Sequence, residues 1–348
     1  MRFSLFIHME RWDDSISHEE HWNNLVELVK MAEEGGFGTV WTGEHHSMEY
    51  TVAPNPMVAL ASLAAQTSII RLGAGTIIAP FWNPIRAAGE TALLDVISDG
   101  RAELGVARGA YQFEFDRMAG GLSAKDGGTY LRELIPAVKK LWEGDYAHDG
   151  AHWSFPVSTS VPKPMQQPGP KTWVAARTPE THEFAIANGC HVQVTPLMKD
   201  DSEVQDLKNK FDAAVEAHPE ADHNPEIMVL RHTYVHSPDD PEGWRPGADA
   251  VSRFYRTFSS WAFGKESPED GFLEPQPLST VEDRPEFDVD SLHHSAMIGT
   301  PAEITGRLKS YEEMGYDEYA FWTDNSMSHE EKKKSLQLFI DEVVPNFQ

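Results

Sequence analysis

The residues that could do chemistry in this sequence lie directly after short runs of β-branched residues. The clearest example is the run at residues 39–42, which is followed by Glu44, His45 and His46. Histidine is the usual side chain for acid–base catalysis because its imidazole titrates near neutral pH. Neighbouring side chains in an extended segment point to opposite sides, so one histidine can face a cavity while the other packs or pairs with Glu44. The motif predicts a proton-handling site, with a purely structural histidine pair as the alternative.

Paired histidines could also bind a metal ion, but the rest of the sequence does not favour a metal site. Metal-dependent hydrolases built on parallel barrels usually take a His-x-His pair from the first strand, and here that strand reads FIHM at residues 6–9. The zinc motif His-Glu-x-x-His is absent, and the single cysteine, Cys190, cannot form a cysteine cluster. We therefore expect no metal among the cofactors.

Two further strand ends carry residues that could hold a ligand. Gly75 and Thr76 belong to a stretch of small residues where a flat ring could approach the backbone, although close packing of a strand against a helix explains the glycine nearly as well. Arg108 follows another predicted strand, and its guanidinium suits two-point contacts with a phosphate. In so acidic a chain, an ion pair with a carboxylate is a serious alternative for Arg108.

Repeated strand–helix units position these residues. Strands are predicted at residues 2–9, 39–42, 71–80, 102–107, 172–176, 191–197, 227–236 and 319–323. Helix starts are indicated by a capping residue followed by proline or glutamate, at Ser17, Asn83, Thr178, Thr300 and Ser328. Eight such units predict an α/β fold closed as a (β/α)8 TIM barrel, in which the chemistry lies at the C-terminal ends of the strands.

One long segment, residues 262–294, does not fit this alternation. It is rich in Pro, Glu and Asp and has neither a helical nor a strand period. A connection of this length inside a compact domain is either an error of assignment or a functional loop. We predict a long mobile lid loop, inserted into a single barrel domain that spans residues 1–348.

Composition limits the classes of partner. The chain has 55 acidic and 29 basic side chains, which gives a formal net charge of -26. A field of this sign repels phosphate backbones and anionic lipids, so we expect neither nucleic acid nor a membrane surface as a partner. The opening string MRFSLFIHMERWDD does not read as a signal peptide, and no apolar run approaches the roughly 20 residues that cross a bilayer. With only one cysteine, the chain is expected to be cytoplasmic.

Several strings, in the same order, resemble the family of bacterial luciferase-like flavin monooxygenases, and the luciferase alpha subunit in particular. The matching strings are GFGTVWTGEHH from residue 36, the NPxVA pattern at 55–59, the HPVR-like string at 83–86, and LLDVISDGRAELGVARGAY at 93–111. The likeness is densest at residues 39–111 and continues more weakly toward the C-terminus. It implies a luciferase-like (β/α)8 barrel that binds a flavin.

The resemblance also implies roles for individual residues. His45, the first histidine of the EHH string, would be the catalytic acid/base near the reactive edge of the flavin, and Glu44 would sit beneath the ring system. The ring would lie on Gly75 and Thr76, and Arg108 would contact the flavin phosphate or ring. The remaining cofactor-binding residues implied in this way are Ala110, Tyr111, Val174, Ala175, Ala176, Arg177, Thr178 and Thr195.

The match is weaker at residues 174–178. In the luciferase, the corresponding segment is taken to carry a non-prolyl cis peptide beside the flavin. Arg177 and Thr178 stand at the start of a predicted helix, where they could hold a phosphate with the helix N-terminal amides. Thr195 replaces part of a serine–tryptophan pair near the ring, so the substrate pocket should differ from that of the aldehyde-using luciferase.

The implied function is that of a two-component flavin-dependent monooxygenase. FMN, reduced by a separate flavin reductase, would react with O2 and oxygenate a small organic substrate such as a ketone, an aldehyde or a heteroaromatic ring. The alternatives are a deazaflavin-dependent oxidoreductase of the same fold and a non-catalytic flavin-binding partner subunit.

A homodimer is expected from the likeness of two apolar helices to the subunit-pairing helices of the luciferase. The residues expected at this interface are Met57, Val58, Leu60, Leu63, Ala64, Ala87, Ala88, Thr91, Ala92 and Leu93.

Overall fold

A closed ring of parallel strands forms the centre of the molecule. The computed structural model describes residues 1–221, 223–263, 269–281, 283–323 and 326–347. In chain order the strands are β1 (Arg2–Ile7), β2 (Thr39–Thr42), β3 (Arg71–Ile78), β4 (Ala102–Ala107), β5 (Tyr146–Asp149), β6 (Ser154–Ser158), β7 (Lys171–Ala175), β8 (His191–Val194), β9 (Ile227–Val235), β10 (Met297–Gly299) and β11 (Glu318–Trp322). Within the described residues, eight strands pair in parallel in the order β1-β2-β3-β4-β7-β8-β9-β11 and back to β1. The predicted (β/α)8 barrel is confirmed.

Helices follow the barrel strands and cover their outer face. In chain order they are α1 (His18–Glu34), α2 (Pro56–Ala64), α3 (Pro84–Ile97), α4 (Gln112–Met118), α5 (Gly127–Glu143), α6 (Pro179–Ala187), α7 (Asp201–Ala217), α8 (Arg245–Phe263), α9 (Val289–Ser295), α10 (Pro301–Met314) and α11 (His329–Leu338). The predicted capping residues all precede helices, and those of α10 and α11 form complete capping boxes. These caps fix where the chain leaves each loop at the barrel mouth.

Two tryptophans and two glutamates fill the lower half of the barrel. The indole of Trp41 donates a hydrogen bond to Glu318 over 2.9 Å, and the indole of Trp173 donates to Glu103 over 2.6 Å. Both glutamates lie near the N-terminal ends of their strands, and burial together with the charge of Glu103 raises the pKa of Glu318. Because this end is filled by packed side chains, the barrel opens to a ligand only at its C-terminal mouth.

The predicted lid, residues 262–294, is more regular than the sequence indicated. Helix α8 extends into it, a 3-10 turn lies at Leu278–Thr280, and helix α9 occupies Val289–Ser295. The expectation of a segment without helix is therefore wrong for α9, which is too short to give a period and begins where Asp288 accepts a hydrogen bond from the amide of Ser291. Residues 264–268 and 282 lie outside the described residues. The lid role and the single-domain division of the chain stay predictions.

Most of the residues predicted to form a dimer interface are instead buried within the chain's own core. On α2 and α3 these are Met57, Leu60, Leu63, Ala64, Ala87, Ala88, Thr91 and Ala92. Of the ten, Val58 and Leu93 remain exposed, at 68% and 47% of their surface. The inner face of each helix packs on the barrel, so an interface would need the outer face. The sequence pattern alone did not separate the two faces because both are apolar.

Candidate active site

A cavity of about 330 Å³ opens at the C-terminal mouth of the barrel. The predicted site residues that line it are Glu44, His45, Gly75, Thr76, Arg108, Ala110, Tyr111, Ala175, Ala176, Arg177 and Thr195. Val174 and Thr178 do not line it. Val174 is buried within β7, and Thr178 is the exposed N-cap of α6. The barrel therefore brings together residues that are far apart in the chain, such as Glu44 and Thr195, which are 151 positions apart.

His45 faces this cavity and is held by a glutamate that the sequence did not reveal. Its Nδ1 lies 3.1 and 3.2 Å from the two carboxylate oxygens of Glu114, which also accepts the backbone N–H of His46 over 2.9 Å. Since a carboxylate can only accept, Nδ1 of His45 donates, and Nε2 is left for a ligand. Glu114 is 1% exposed, whereas the His45 side chain is 18% exposed.

His46 points away from His45 and pairs with Glu44. Its Nε2 lies 2.8 Å from one oxygen of Glu44, whose other oxygen accepts hydrogen bonds from the amide of Ile78 and the indole of Trp82, each over 2.7 Å. These contacts fasten the loop after β2 to the end of β3. A purely structural role, the alternative considered for the histidine pair, therefore fits His46. His45 has a different partner and faces the cavity.

Small residues form the part of the cavity that follows β3. A Cβ atom on Gly75 would come within 3.2 Å of the Cβ of Trp41, so the backbone approaches this side chain closely. The peptide bond between Gly75 and Thr76 is cis. Residues 174–178, which the resemblance aligns with a segment taken to carry a non-prolyl cis peptide in the luciferase, contain no cis bond.

Two arginines stand at the cavity with different partners. Arg177 forms a 2.6 Å ion pair with Glu203 and donates to the carbonyl of Thr195 over 2.9 Å. Arg108 is exposed and donates to the carbonyl of Ala124 over 3.4 Å, and among the described residues it has no carboxylate partner. The ion-pair alternative therefore applies to Arg177, and Arg108 is the guanidinium available to an anionic group.

His8 is a third histidine at the cavity, and it was considered from the sequence only as a metal ligand. Its ring centroid lies 5.3 Å from that of His45, and its Nδ1 lies 3.1 Å from a carboxylate oxygen of the buried Glu10. Burial, followed by the charges of His45 and His232, holds the pKa of His8 well below its usual range. His8 is therefore neutral at physiological pH, so that one of its ring nitrogens can donate a hydrogen bond and the other can accept one.

Among the described residues, no three His, Cys, Asp or Glu side chains form a group that could hold a metal ion. None of the helices described is both long and apolar enough to cross a membrane.

Comparison with known proteins identifies similar chains over the whole length. The model of the luciferase-like monooxygenases matches residues 1–318. The chain is 48% identical over 347 residues to the oxygenase component of the flavin-dependent trigonelline monooxygenase of Acinetobacter baylyi, covering 100% of this chain and 96% of that one. It is 27% identical over 246 residues to the alkanal monooxygenase alpha chain of the Kryptophanaron alfredi symbiont, covering 69% and 65% of the two chains. The crystal structure of the monooxygenase RslO1 from Streptomyces bottropensis matches with a TM-score of 0.84 at 25% identity, over 100% of both chains.

Proposed function

The chain belongs to the family of luciferase-like monooxygenases, and we propose that it is the cytoplasmic oxygenase component of a two-component system that uses reduced FMN. A separate flavin reductase supplies the reduced cofactor, and the substrate is a small organic molecule. The similarity to a named oxygenase component over nearly the full length of both chains supports the two-component arrangement.

The residues of the cavity fit a flavin mononucleotide. The backbone at Gly75 and Thr76, together with Ala175 and Ala176, offers a surface without long side chains on which a flat ring can lie. Arg108 lacks a carboxylate partner among the described residues and can take the phosphate or the polar edge of the ring. When bound, the reduced flavin supplies the electrons for oxygen chemistry.

The chain itself contributes proton control and exclusion of water. Glu114 fixes the ring of His45 and its Nδ1–H, so that Nε2 can hold a proton and deliver it to an oxygen atom in the cavity. The aromatic rings of Tyr111 and Trp261 pack beside His45, with centroids 6.2 and 5.1 Å from its own. One observation carries the proposal: a histidine–glutamate pair lines the same cavity as an arginine that has no carboxylate partner in the described part of the chain.

Binding and oxygen uptake test this function together. The protein is mixed separately with reduced FMN, a reduced deazaflavin and divalent metal ions, and retention is measured for each. We expect retention of reduced FMN, followed by oxygen uptake without hydrogen peroxide release when a substrate is present, with trigonelline as the first compound in the screen. Preference for the deazaflavin would support the alternative oxidoreductase, and retention of FMN without oxygenation of any compound would support a non-catalytic subunit.

We also propose a homodimer through the outer faces of α2 and α3. These faces expose Val58, Leu93, Val96 and Ile97, and the carbonyl of Val161 lies beside α3 at Gly89. Covering such a patch with a second copy would remove apolar surface from water. Light scattering at micromolar concentration should give twice the mass of the chain. A monomer under these conditions would refute the proposal.

A matched pair of variants locates the interface. Leu93→Asp should shift the protein to a monomer, because it puts a charge on the apolar face of α3. Met118→Asp adds the same charge at an exposed apolar residue of α4, 43% exposed, and should leave the mass unchanged. If both variants or neither change the mass, the interface lies elsewhere.

The segment 262–294 is proposed to act as a lid. The amide of Glu49 donates to the carbonyl of Gly271 over 2.7 Å, and both residues line, with His45, a neighbouring cavity of about 350 Å³. The segment therefore contacts the loop that carries His45. Replacing residues 269–281 by a short Gly–Ser linker should raise hydrogen peroxide release during turnover. Unchanged coupling would argue against a lid.

A further inference from the structure

The cavity at the barrel mouth is lined by a buried amide that the described residues do not hold. Gln193 lines it from β8 and is 7% exposed. Its side-chain nitrogen is buried and has no hydrogen-bond partner among the described residues, and none of them bonds to its side-chain oxygen. Within the described part of the chain, Gln193 is the one cavity-lining residue with a buried side-chain atom in this condition. Because most buried polar groups in native structures have a partner, this amide indicates a partner that comes with a ligand.

Gln193 belongs to the inner part of the cavity. It pairs in register with Ala175 of β7 on one side and with Met228 of β9 on the other, and both of these residues line the cavity. Arg108, by contrast, follows the last residue of β4 and is exposed. Of the described residues that line the cavity from within a strand, only Thr76 and Gln193 have polar side chains. A ligand that reaches inward from Arg108 therefore meets few polar groups, and Gln193 is one of them.

The side chain of Gln193 extends past β7 toward β4. A Cβ atom on Gly105 of β4 would come within 3.0 Å of the side-chain oxygen of Gln193 and within 3.2 Å of the methyl group of Thr76. Both groups approach the same point, so the amide lies beside Thr76, where the flavin ring is proposed to lie. In the ring of eight strands, β8 is four strands away from β2, whose loop carries His45. A flat ring in the cavity therefore lies between His45 and Gln193.

A primary amide offers a hydrogen-bond donor and an acceptor side by side. The torsion that turns this amide has a broad minimum, and no described residue fixes it by a hydrogen bond, so either atom of Gln193 can face a ligand. The pyrimidine edge of a flavin ring matches the pair, because a carbonyl oxygen there stands beside the imide N–H. The opposite edge of the ring carries two methyl groups and would leave the amide without a partner.

From these observations we propose that Gln193 recognises the pyrimidine edge of the flavin ring, donating to a carbonyl oxygen and accepting from the imide N–H. The proposal rests on the proposed binding of FMN and adds a residue that orients the ring. A cofactor held at this edge by Gln193 and at its phosphate by Arg108 has two fixed ends, which keeps the middle of the ring within reach of His45. A site built to hydrogen-bond a group should disfavour an analogue that lacks it, because its own polar atoms then stay unpaired.

Anaerobic calorimetry with reduced flavins tests this proposal. The probes are FMN and 3-methyl-FMN, in which a methyl group replaces the imide hydrogen. We expect the wild type to bind FMN at least tenfold more tightly than 3-methyl-FMN. Gln193→Met keeps the length of the side chain and loses the amide. This variant should bind FMN about tenfold more weakly than the wild type does, the size expected for one or two hydrogen bonds, and should bind the two probes equally.

Riboflavin, which lacks the phosphate, separates the two ends of the cofactor. Gln193→Met should weaken riboflavin by the same factor as FMN, because the two compounds share the ring. Arg108→Ala should weaken FMN and leave riboflavin nearly unchanged, because it removes a phosphate contact. An equal loss of FMN and riboflavin in Arg108→Ala would assign the polar edge of the ring to Arg108 and overturn the proposal.

Thermal unfolding of the flavin-free protein separates recognition from a structural role. Gln193→Met removes an amide without a partner among the described residues and should leave the melting temperature unchanged or raise it. The matched control is Gln166→Met, because the amide of Gln166 donates to Asp95 over 2.7 Å and to the carbonyl of Ala102 over 2.8 Å, and Gln166 does not line the cavity. This control should lower the melting temperature and leave the preference for FMN over 3-methyl-FMN unchanged.

The outcomes that count against Gln193 differ from those that count against FMN. A wild type that retains no reduced FMN would overturn both proposals. A wild type that retains FMN overturns only the role of Gln193 if it binds 3-methyl-FMN equally well, or if Gln193→Met binds FMN as the wild type does. The same holds if the variant still prefers FMN over 3-methyl-FMN by the wild-type factor, or melts as low as Gln166→Met.

Discussion

Replacing each of the two adjacent histidines by alanine separates proton transfer from packing. His45 and His46 each contact a buried carboxylate, Glu114 in one case and Glu44 in the other. They differ in that His45 lines the cavity, whereas His46 is turned into the protein. Because the two substitutions remove the same atoms from neighbouring positions, each is the natural control for the other.

The hydrogen bonds that each substitution removes predict similar losses in the free energy of unfolding for the two variants. His45→Ala leaves Glu114 with the amide of His46, and His46→Ala leaves Glu44 with the amide of Ile78 and the indole of Trp82. Each variant removes one hydrogen bond to a charged, buried acceptor, which costs about 1.5–3 kcal/mol. Urea unfolding should therefore place both variants below the wild type by comparable amounts.

Product formation should differ sharply between the same two variants. His45→Ala should lose product formation by about 10²-fold or more, the usual effect of removing a positioned acid/base, with oxygen diverted to hydrogen peroxide. Its affinity for FMN should change little, because Arg108 and the small residues of the cavity remain. His46→Ala should keep most of its coupled turnover.

Single-turnover assays with FMN reduced before mixing decide the matter, since they remove the reductase from the measurement. Product and hydrogen peroxide are quantified after oxygen is added, with folded protein counted by the unfolding curves. Equal losses of product in the two variants, or a larger loss for His46→Ala, would show that the wrong histidine has been assigned the proton transfer.

Three further substitutions test the remaining features. Glu114→Gln should lower product formation about tenfold, because an amide holds the Nδ1–H of His45 less strongly than a carboxylate does; an unchanged rate would contradict this. Arg108→Ala should weaken reduced FMN at least tenfold in a binding titration, and more than Arg177→Ala, whose guanidinium is already paired; the reverse order would exchange their roles. Burial lowers the pKa of His191 to about 4, from 6.5, so its contribution to stability is complete above pH 6.5 and is lost as pH falls toward 4. Between pH 7 and 5, wild type should therefore lose about 2 kcal/mol more than His191→Gln in urea unfolding, and equal slopes would refute this.

The barrel could be predicted from the sequence because its signals are local. Each barrel strand was found to within about three residues at either end, since β-branched runs and capping residues mark the units independently of one another. Helix α9 was not predicted, because its seven residues are too few to show a helical repeat of apolar residues. The expectation of a segment without helix failed there for the same reason.

The contacts of the site could not be predicted in the same way. Glu114 lies 69 residues from His45, and nothing in the spacing of the two residues indicates that they meet. Arg108 and Arg177 look equivalent in the sequence, and only the position of Glu203 distinguishes them.

The placement of Glu114 has a consequence for engineering new substrate ranges by loop exchange. Arg108, Tyr111 and Glu114 all lie within seven consecutive residues after β4, whereas His45 comes from the loop after β2. A transplanted β2 loop would arrive without the carboxylate that orients its histidine. A transplanted β4 loop would exchange the arginine, the tyrosine and that carboxylate in a single step. Chimeras should therefore inherit activity when both loops come from one parent and lose it when they come from two.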